Sequence, residues 1–224
     1  MNNKFTPLIF IFIFFTVGCE EKQQNQSYLA LGDSYTIGEA VPENERWPIQ
    51  LVEALKNEGV LIDQPKIIAQ TGWTTADLKN GIDSAVLDFP YDWVSLLIGV
   101  NNQYQGKSIE AFKVEFEQLL GQAILFAGNK KERVFVVSIP DWGSMPFAEK
   151  RNREQIATEI DDFNQAIYEV CALQQVAFID VTPISRTVES NPSFIASDSL
   201  HPSGIQYARW VKQITPFFIS SSDD

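Results

Sequence analysis

Short apolar segments alternate with longer segments of helical periodicity along most of this chain. The apolar segments predict five strands, over residues 28–31, 66–69, 93–98, 134–139 and 176–179. The periodic segments predict helices over residues 47–57, 75–86, 109–127, 153–173 and 207–218. An alternation of this kind favours a parallel sheet with helices on both faces, so the predicted fold is a three-layer α/β/α sandwich.

No repeat, low-complexity tract or internal linker interrupts this pattern, and 224 residues suit one domain. Two connections are long, over residues 140–152 and 181–198, and connections of that length in compact domains are usually functional or mobile. In open parallel sheets, ligands bind at the carboxyl ends of the strands. Functional residues are therefore expected at those ends.

The first 26 residues have the layout of an export signal. Lys4 precedes an apolar run over residues 8–17, which is shorter than the roughly 20 residues that a bilayer-spanning helix needs. The following TVGC resembles the lipobox of bacterial lipoproteins, with Thr16 in place of the usual Leu. A plain signal peptide or a short anchor helix are the alternatives. The prediction is a lipoprotein signal peptide over 1–18, a lipidated Cys19 with a polar tether over 19–26, and a folded domain over 27–224.

These features predict an exported protein that a lipid anchor holds to a membrane, facing the periplasm or the cell surface. After cleavage, Cys171 is the only thiol besides Cys19, so an internal disulfide is excluded. Cys171 lies in an apolar helical pattern, which predicts a buried and inert thiol.

Charge and histidine content exclude several classes of function. Lys and Arg number 17 against 29 Asp and Glu, a net charge of −12, and this acidic balance argues against nucleic acid as a partner. His201 is the single histidine, so a multi-histidine metal site is excluded. Any mechanism that requires an imidazole must use His201.

Residues suited to acyl transfer follow four of the predicted strands. Ser34 follows the first strand and is a candidate nucleophile, and His201 is the candidate base. Asp198, three residues earlier, is suited to hold the other ring nitrogen. The backbone N–H groups of Ser34 and Gly72 and the side-chain amide of Asn101 are candidate donors to an oxyanion. Each of these residue types is common in turns, but their occurrence together at one edge of the sheet favours a hydrolase.

The chain resembles the GDSL, or SGNH, hydrolase family from Tyr28 to the last helix. The blocks that carry the resemblance are GDSY, with Tyr35 in place of the usual Leu, then Gly72, GVNN and DSLHPSG. Asn102 stands where an Asp is common, a position without a chemical role in the family.

The resemblance implies a flavodoxin-like, five-stranded parallel sheet and a serine hydrolase that cleaves carboxylic esters through an acyl-enzyme, with no metal or organic cofactor. It implies that Ser34, Asp198 and His201 form a catalytic triad, and that Ser34, Gly72 and Asn101 form an oxyanion hole. The expected substrate is a small-molecule or glycan ester: the chain would be a lysophospholipase or short-chain esterase, or alternatively a carbohydrate O-deacetylase.

Aromatic residues in the loops are candidates for the substrate pocket: Trp73, Tyr104, Trp142 and Phe194. Side chains of this kind also serve as packing residues, and Trp142 fits both interpretations. If they stack on sugars without catalysis, the chain would be a carbohydrate-binding surface lipoprotein. The presence of both Ser34 and His201 argues against that alternative.

Two other enzyme classes fit less well. No serine has the Gly-x-Ser-x-Gly flanks of the α/β-hydrolase nucleophile. Gly106-Lys107-Ser108 invites a P-loop interpretation, but that motif needs a Gly where Asn101 stands. Ser108 as a helix cap is the better interpretation.

Overall fold

The computed structural model describes residues 25–220, which form one five-stranded parallel sheet with helices around it. The strand order is β2-β1-β3-β4-β5, and every neighbouring pair is parallel. This is the flavodoxin-like order, and it confirms the predicted fold. The strands are β1 (Tyr28–Gly32), β2 (Lys66–Ala69), β3 (Trp93–Leu97), β4 (Val134–Val137) and β5 (Ala177–Ile179).

Strand ends differ from the prediction where side chains or helix ends take the backbone hydrogen bonds. The amide of Asn164 bonds both the N–H and the carbonyl of Ile139, so β4 ends two residues before the predicted limit. The N–H of Val176 closes the preceding helix by donating to the carbonyl of Cys171, so β5 begins one residue later.

The long helices lie close to their predicted positions, and three short ones were not predicted. The long helices are α2 (Trp47–Asn57), α3 (Thr75–Ser84), α5 (Ile109–Phe126), α6 (Arg153–Gln174) and α8 (Gly204–Ser220). The short ones are α1 (Ser34–Ile37), α4 (Val100–Tyr104) and α7 (Thr182–Ser185). Helices of four or five residues carry no periodic signal, since they are hardly more than one turn. Ser108 caps α5 as predicted, accepting from the N–H of Ala111 at 3.2 Å.

Helices cover the sheet in two groups: α2 packs on α8, while α5 packs on α3 and α6. The central strands β1, β3 and β4 are buried throughout, whereas the edge strands β2 and β5 are partly exposed. Phe135 of β4 contacts Trp47 of α2 and Phe218 of α8, which joins the first helical group to the sheet.

The N-terminal boundary of the domain lies earlier than predicted. Gln26 pairs with Ile62 in a parallel bridge, and its N–H donates to the carbonyl of Leu61 at 2.8 Å. Asn25 donates to the Asp63 carboxylate at 2.8 Å. Residues 25 and 26, which the sequence assigned to the tether, therefore pack against the domain. The predicted signal peptide and Cys19 lie outside the described residues.

The two long connections contain short helical turns. The first holds 3₁₀ turns at Trp142–Ser144 and Pro146–Ala148, and the second holds α7 and turns at Val188–Ser190 and Pro192–Phe194. Cys171 is buried on α6 as predicted, and burial raises the pKa of its thiol to about 12. None of the helices within residues 25–220 is long and apolar enough to cross a membrane.

Candidate active site

Ser34 begins α1 directly after β1, on a turn that Gly32 and Asp33 make possible. The Asp33 carboxylate caps α1 by accepting from the N–H of Tyr35 at 3.0 Å. The turn leaves no room for a side chain at position 32, where a Cβ would collide with the Thr36 hydroxyl and approach the Leu97 carbonyl to 2.5 Å. The Gly-Asp-Ser sequence therefore allows the chain to reverse tightly while Ser34 stays at the sheet edge.

Asp198 and His201 form a closed local unit. One Asp198 oxygen lies 2.5 Å from His201 Nδ1, and the other accepts from the N–H groups of Leu200 and His201 at 3.0 and 2.9 Å. Burial raises the pKa of Asp198, but these hydrogen bonds outweigh it and hold that pKa below its usual value. An antiparallel bridge between Ile195 and Pro202 closes the loop at its base. With Nδ1 paired, Nε2 is the ring nitrogen left for a substrate or nucleophile.

Gly72 and Asn101 stand at the ends of the next two strands. Gly72 adopts φ +84°, a conformation that favours glycine, although a Cβ there would meet nothing within 4 Å. Backbone conformation, rather than the close approach expected from the sequence, thus explains this glycine. Neither its N–H nor that of Ser34 donates a hydrogen bond to any group in residues 25–220. The Asn101 amide donates to the Trp73 carbonyl at 2.9 Å and has a second N–H to offer.

Asn102 holds this part of the site together. Its side chain accepts from the N–H of Thr75 at 3.0 Å and donates to the Thr75 hydroxyl at 2.6 Å. That hydroxyl also bonds Glu115 on α5. The residue that departs from the family pattern therefore ties α4 to the start of α3.

One cavity of about 230 Å³ collects Ser34, Gly72, Asn101 and His201. Ser34 and His201 are nearly buried, and the described chain contains no hydrogen bond between the Ser34 hydroxyl and the imidazole. Catalytic hydrogen bonds are often long until substrate binds, so a shared cavity is the relevant geometry. Asp198 reaches the cavity only through His201.

The remaining wall of the cavity is largely apolar. Of the predicted pocket residues, Tyr104 and Trp142 line it, and their rings meet edge to face with centroids 5.4 Å apart. Trp142 is also anchored, because its indole N–H donates to Gln103 at 2.8 Å. Phe147, a further aromatic residue of the loop after β4, also lines the cavity. Sequence reasoning did not assign the other lining residues, which are Tyr35, Thr71, Val100 and Leu200. Tyr35 and Leu200 lie inside the GDSY and DSLH blocks, so their proximity to Ser34 and His201 in the sequence could have indicated a place in the pocket.

The lining of the cavity does not include two of the predicted pocket residues, Trp73 and Phe194. Trp73 lies over Gly81 of α3, where its ring occupies the space that a Cβ would need. Phe194 is buried with Met145 and Val188 in a small separate cluster under the second long connection. Both aromatic rings therefore serve packing.

Asp33 is a buried carboxyl next to Ser34 in the chain. Burial raises its pKa to about 7, against the opposing effect of the hydrogen bond from Tyr35. Its second oxygen has no hydrogen-bond partner within the described part of the chain. A carboxyl in this state is stabilised in its protonated form by the fold.

We expect Asp33 to make the stability depend on pH between about 4 and 7. Because the folded-state pKa is raised, the native state binds the proton more tightly, so the free energy of unfolding falls as pH rises toward 7 and then levels off. Asp33→Asn keeps the cap and removes the titration. The free energy of unfolding, measured with urea, is compared between Asp33→Asn and wild type. The difference in favour of the variant should be about 2 kcal/mol larger at pH 8 than at pH 5. Exposed Asp162→Asn on the same measurement should give a difference near zero, and equal behaviour of both variants would refute the assignment.

Solved structures of ester hydrolases share this fold. A psychrotrophic esterase from Pseudoalteromonas sp. superposes with a TM-score of 0.67 at 12% identity, covering 89% of this chain and 100% of the other. A phospholipase A1 from Streptomyces albidoflavus gives 0.64 at 18% identity, covering 88% and 100%. An acetyl-xylooligosaccharide esterase from Geobacillus gives 0.64 at 16% identity, covering 88% and 93%. A comparison with curated proteins finds no match.

A family model provides the sequence-level comparison. The model described as the GDSL-like Lipase/Acylhydrolase family matches residues 30–209, which include every residue of the cavity and both members of the Asp198–His201 pair. The match spans most of the chain and agrees with the fold of the solved esterases. The chain therefore belongs to the GDSL-like lipase/acylhydrolase family and is an enzyme that hydrolyses ester bonds.

Proposed function

We propose that the chain hydrolyses esters of short carboxylic acids through an acyl-enzyme formed on Ser34. The observation that carries the proposal is that one cavity contains Ser34 and His201 together with Gly72 and Asn101, which are suited to bind an oxyanion. The Asp198 carboxylate on Nδ1 orients the ring so that Nε2 is the proton acceptor.

The proposed reaction has two matched halves. His201 Nε2 takes the Ser34 proton as the Ser34 oxygen attacks the ester carbonyl carbon, and the charge on the carbonyl oxygen is met by the N–H groups of Ser34 and Gly72 and the Asn101 amide. His201 then gives that proton to the leaving alcohol as the ester C–O bond breaks. Water, activated by the same imidazole, attacks the acyl-enzyme and releases the acid and free Ser34. Asp198 stabilises the imidazolium in both halves.

The size of the cavity supports a short acyl group. Pockets for drug-sized ligands hold about 300–1,000 Å³, and this cavity of about 230 Å³ is smaller. Trp142 and Tyr104 stand across it, and Trp142 is held by its hydrogen bond to Gln103. A long acyl chain would have to displace this wall, so we favour a short-chain esterase over a lysophospholipase. The related structures named as an esterase, a phospholipase A1 and an acetyl-xylooligosaccharide esterase are consistent with either chemistry.

Ser34 should be the residue that becomes acylated. Ser34→Ala should abolish labelling by a fluorophosphonate probe and lower kcat for 4-nitrophenyl acetate by roughly 10³-fold or more, because the covalent route is removed. Its stability should be nearly unchanged, since the Ser34 hydroxyl makes no hydrogen bond within residues 25–220. Ser144→Ala, in the nearby turn after β4, is the control and should label normally. Labelling of Ser138 or Ser144 in the Ser34 variant would contradict the assignment of Ser34 as the nucleophile.

Phe147 should limit the length of the acyl chain. Its side chain lines the cavity but is 45% exposed, so Phe147→Ala should widen the mouth at little cost to stability. The ratio of kcat/KM for 4-nitrophenyl octanoate to that for the acetate should rise by about tenfold, the effect of one or two methylenes in a pocket. Trp142→Ala is less informative, because that buried ring also packs the loop.

Phe89→Ala is the matched control for this experiment, because Phe89 is 52% exposed and lies outside the cavity. It should leave the chain-length profile unchanged. An unchanged chain-length profile in Phe147→Ala would show that Phe147 does not limit the length of the acyl chain.

We also propose that the mature protein is tethered to a membrane through acylated Cys19, on the strength of the short apolar run and the TVGC that follows it. Cys19→Ser should release the protein from the membrane fraction of the producing cell, with kcat/KM for 4-nitrophenyl acetate within about twofold of wild type, because the change lies outside the catalytic domain. Mass spectrometry of the mature N-terminus checks the modification. Unmodified wild-type protein in the soluble fraction would favour a plain signal peptide.

A further inference from the structure

Tyr104 and Trp142 separate the catalytic cavity from a second cavity. The two rings line both, and the second cavity, of about 420 Å³, extends to Arg151 and the start of α6. Tyr104 is 50% exposed at this boundary, so the same aromatic wall is presented to both sides. A substrate whose ester group lies at Ser34 could therefore leave the catalytic cavity over the exposed part of Tyr104 and enter the second cavity without displacing the wall that limits the acyl chain.

The second cavity continues along α6 into a third depression of about 390 Å³. The two share Asn152, Gln155 and Glu159, and the third adds Glu154 and Thr158. We call the whole depression the α6 groove, defined by Arg151, Asn152, Glu154, Gln155, Thr158 and Glu159.

Hydrogen bonds hold the floor of the α6 groove in place. Glu159 accepts from the Gln103 amide at 2.6 Å with one oxygen and from the Gln155 amide at 2.8 Å with the other. Gln103 in turn accepts the indole N–H of Trp142. The groove floor and the aromatic wall of the catalytic cavity are therefore one connected network.

The groups left facing the α6 groove suit a hydroxyl-rich ligand. The Asn152 amide oxygen caps α6 and the Gln155 amide donates to Glu159, but each amide keeps one N–H and one oxygen lone pair for a ligand. The Thr158 hydroxyl donates to the Glu154 carbonyl and can still accept. Within residues 25–220, the Arg151 guanidinium has one long side-chain contact, 3.5 Å to the Tyr104 hydroxyl, so its other N–H groups can donate. Such a mixture of donors and acceptors matches the hydroxyls of a sugar, and the exposed face of Tyr104 can pack against the apolar face of a sugar ring.

Charge in the α6 groove disfavours an anionic ligand, such as the headgroup of an acidic phospholipid. Arg151 is the single cation among the six groove residues, and Glu154 and Glu159 outnumber it. A phosphodiester would bring its negative charge next to these carboxylates, in a chain whose net charge is −12. A neutral ligand avoids this repulsion.

We propose that the α6 groove binds the saccharide portion of the substrate, so that the ester cleaved at Ser34 is an acyl group on a neutral oligosaccharide. This inference rests on the proposed function for the acyl half of the reaction. Ser34 attacks the acyl carbonyl, the bond from the carbonyl carbon to the sugar oxygen breaks, and His201 supplies the proton that leaves with the sugar hydroxyl. The acyl group remains in the catalytic cavity and the sugar is held past Tyr104.

The test compares acetate release from acetylated glucose, cellobiose and cellotriose with hydrolysis of 4-nitrophenyl acetate, whose small leaving group does not reach the groove. For wild type, kcat/KM should rise about tenfold from the monosaccharide to the trisaccharide. Arg151→Ala and Thr158→Ala should each reduce this rise to twofold or less while leaving 4-nitrophenyl acetate within twofold of wild type, because Thr158 lies outside the network that holds Trp142. Lys150→Ala, an adjacent cation outside the groove, should behave as wild type.

Two results would overturn the inference and leave the proposed function intact: no gain with saccharide length in wild type, or a preference for lysophosphatidylcholine that Arg151→Ala removes. Calorimetry of acetylated cellotriose with Ser34→Ala tests the groove without turnover. Binding that the added Arg151→Ala abolishes supports the groove even if wild type hydrolyses no ester, in which case only the proposed function fails. Absence of binding to Ser34→Ala overturns the inference whether or not wild type is active.

Discussion

The position of β1 between β2 and β3 is the constraint on which the rest of the structure depends. The chain leaves β1 toward one edge to form β2 and then returns to place β3 on the other side, so the carboxyl ends of three adjacent strands open at one point. Ser34, Gly72 and Asn101 follow those strands within a few residues, and parallel pairing brings them around one cavity. A hydrogen bond from the Asn101 amide to the Trp73 carbonyl then fixes the ends of β2 and β3 relative to each other.

Carboxylates set the local geometry on both sides of that cavity. Asp33 caps α1 and orients the backbone of the turn that carries Ser34, while Asp198 caps its own loop and holds the imidazole of His201. The two environments differ in solvation: Asp33 is buried and its pKa is raised, whereas the hydrogen bonds to Asp198 keep its pKa low. Two similar side chains thus have opposite preferred charges, and only Asp198 is suited to stabilise an imidazolium.

The aromatic pair Tyr104 and Trp142 connects the cavity that contains Ser34 to the α6 groove. Trp142 limits the catalytic cavity, and its indole N–H is bound through Gln103 to Glu159 on α6. Rearrangement of the α6 groove would therefore be transmitted to the wall of the acyl site through two hydrogen bonds. Selectivity for the acid part and for the alcohol part of the ester would therefore both depend on Tyr104 and Trp142.

The alternation of strands and helices and the residues at the strand ends could be predicted from the sequence, because both are local: periodicity reports which face is buried, and turn chemistry marks where a strand stops. The sequence could not separate the aromatic residues by role, since Trp142, Phe194 and Trp73 stand in similar loops. The packing of Phe194 on Met145 and the position of Trp142 in the cavity wall follow from the three-dimensional arrangement of the loops. The same holds for Arg151 and the α6 groove, whose partners come from distant parts of the chain. Burial depends on those distant partners, and no local pattern encodes them.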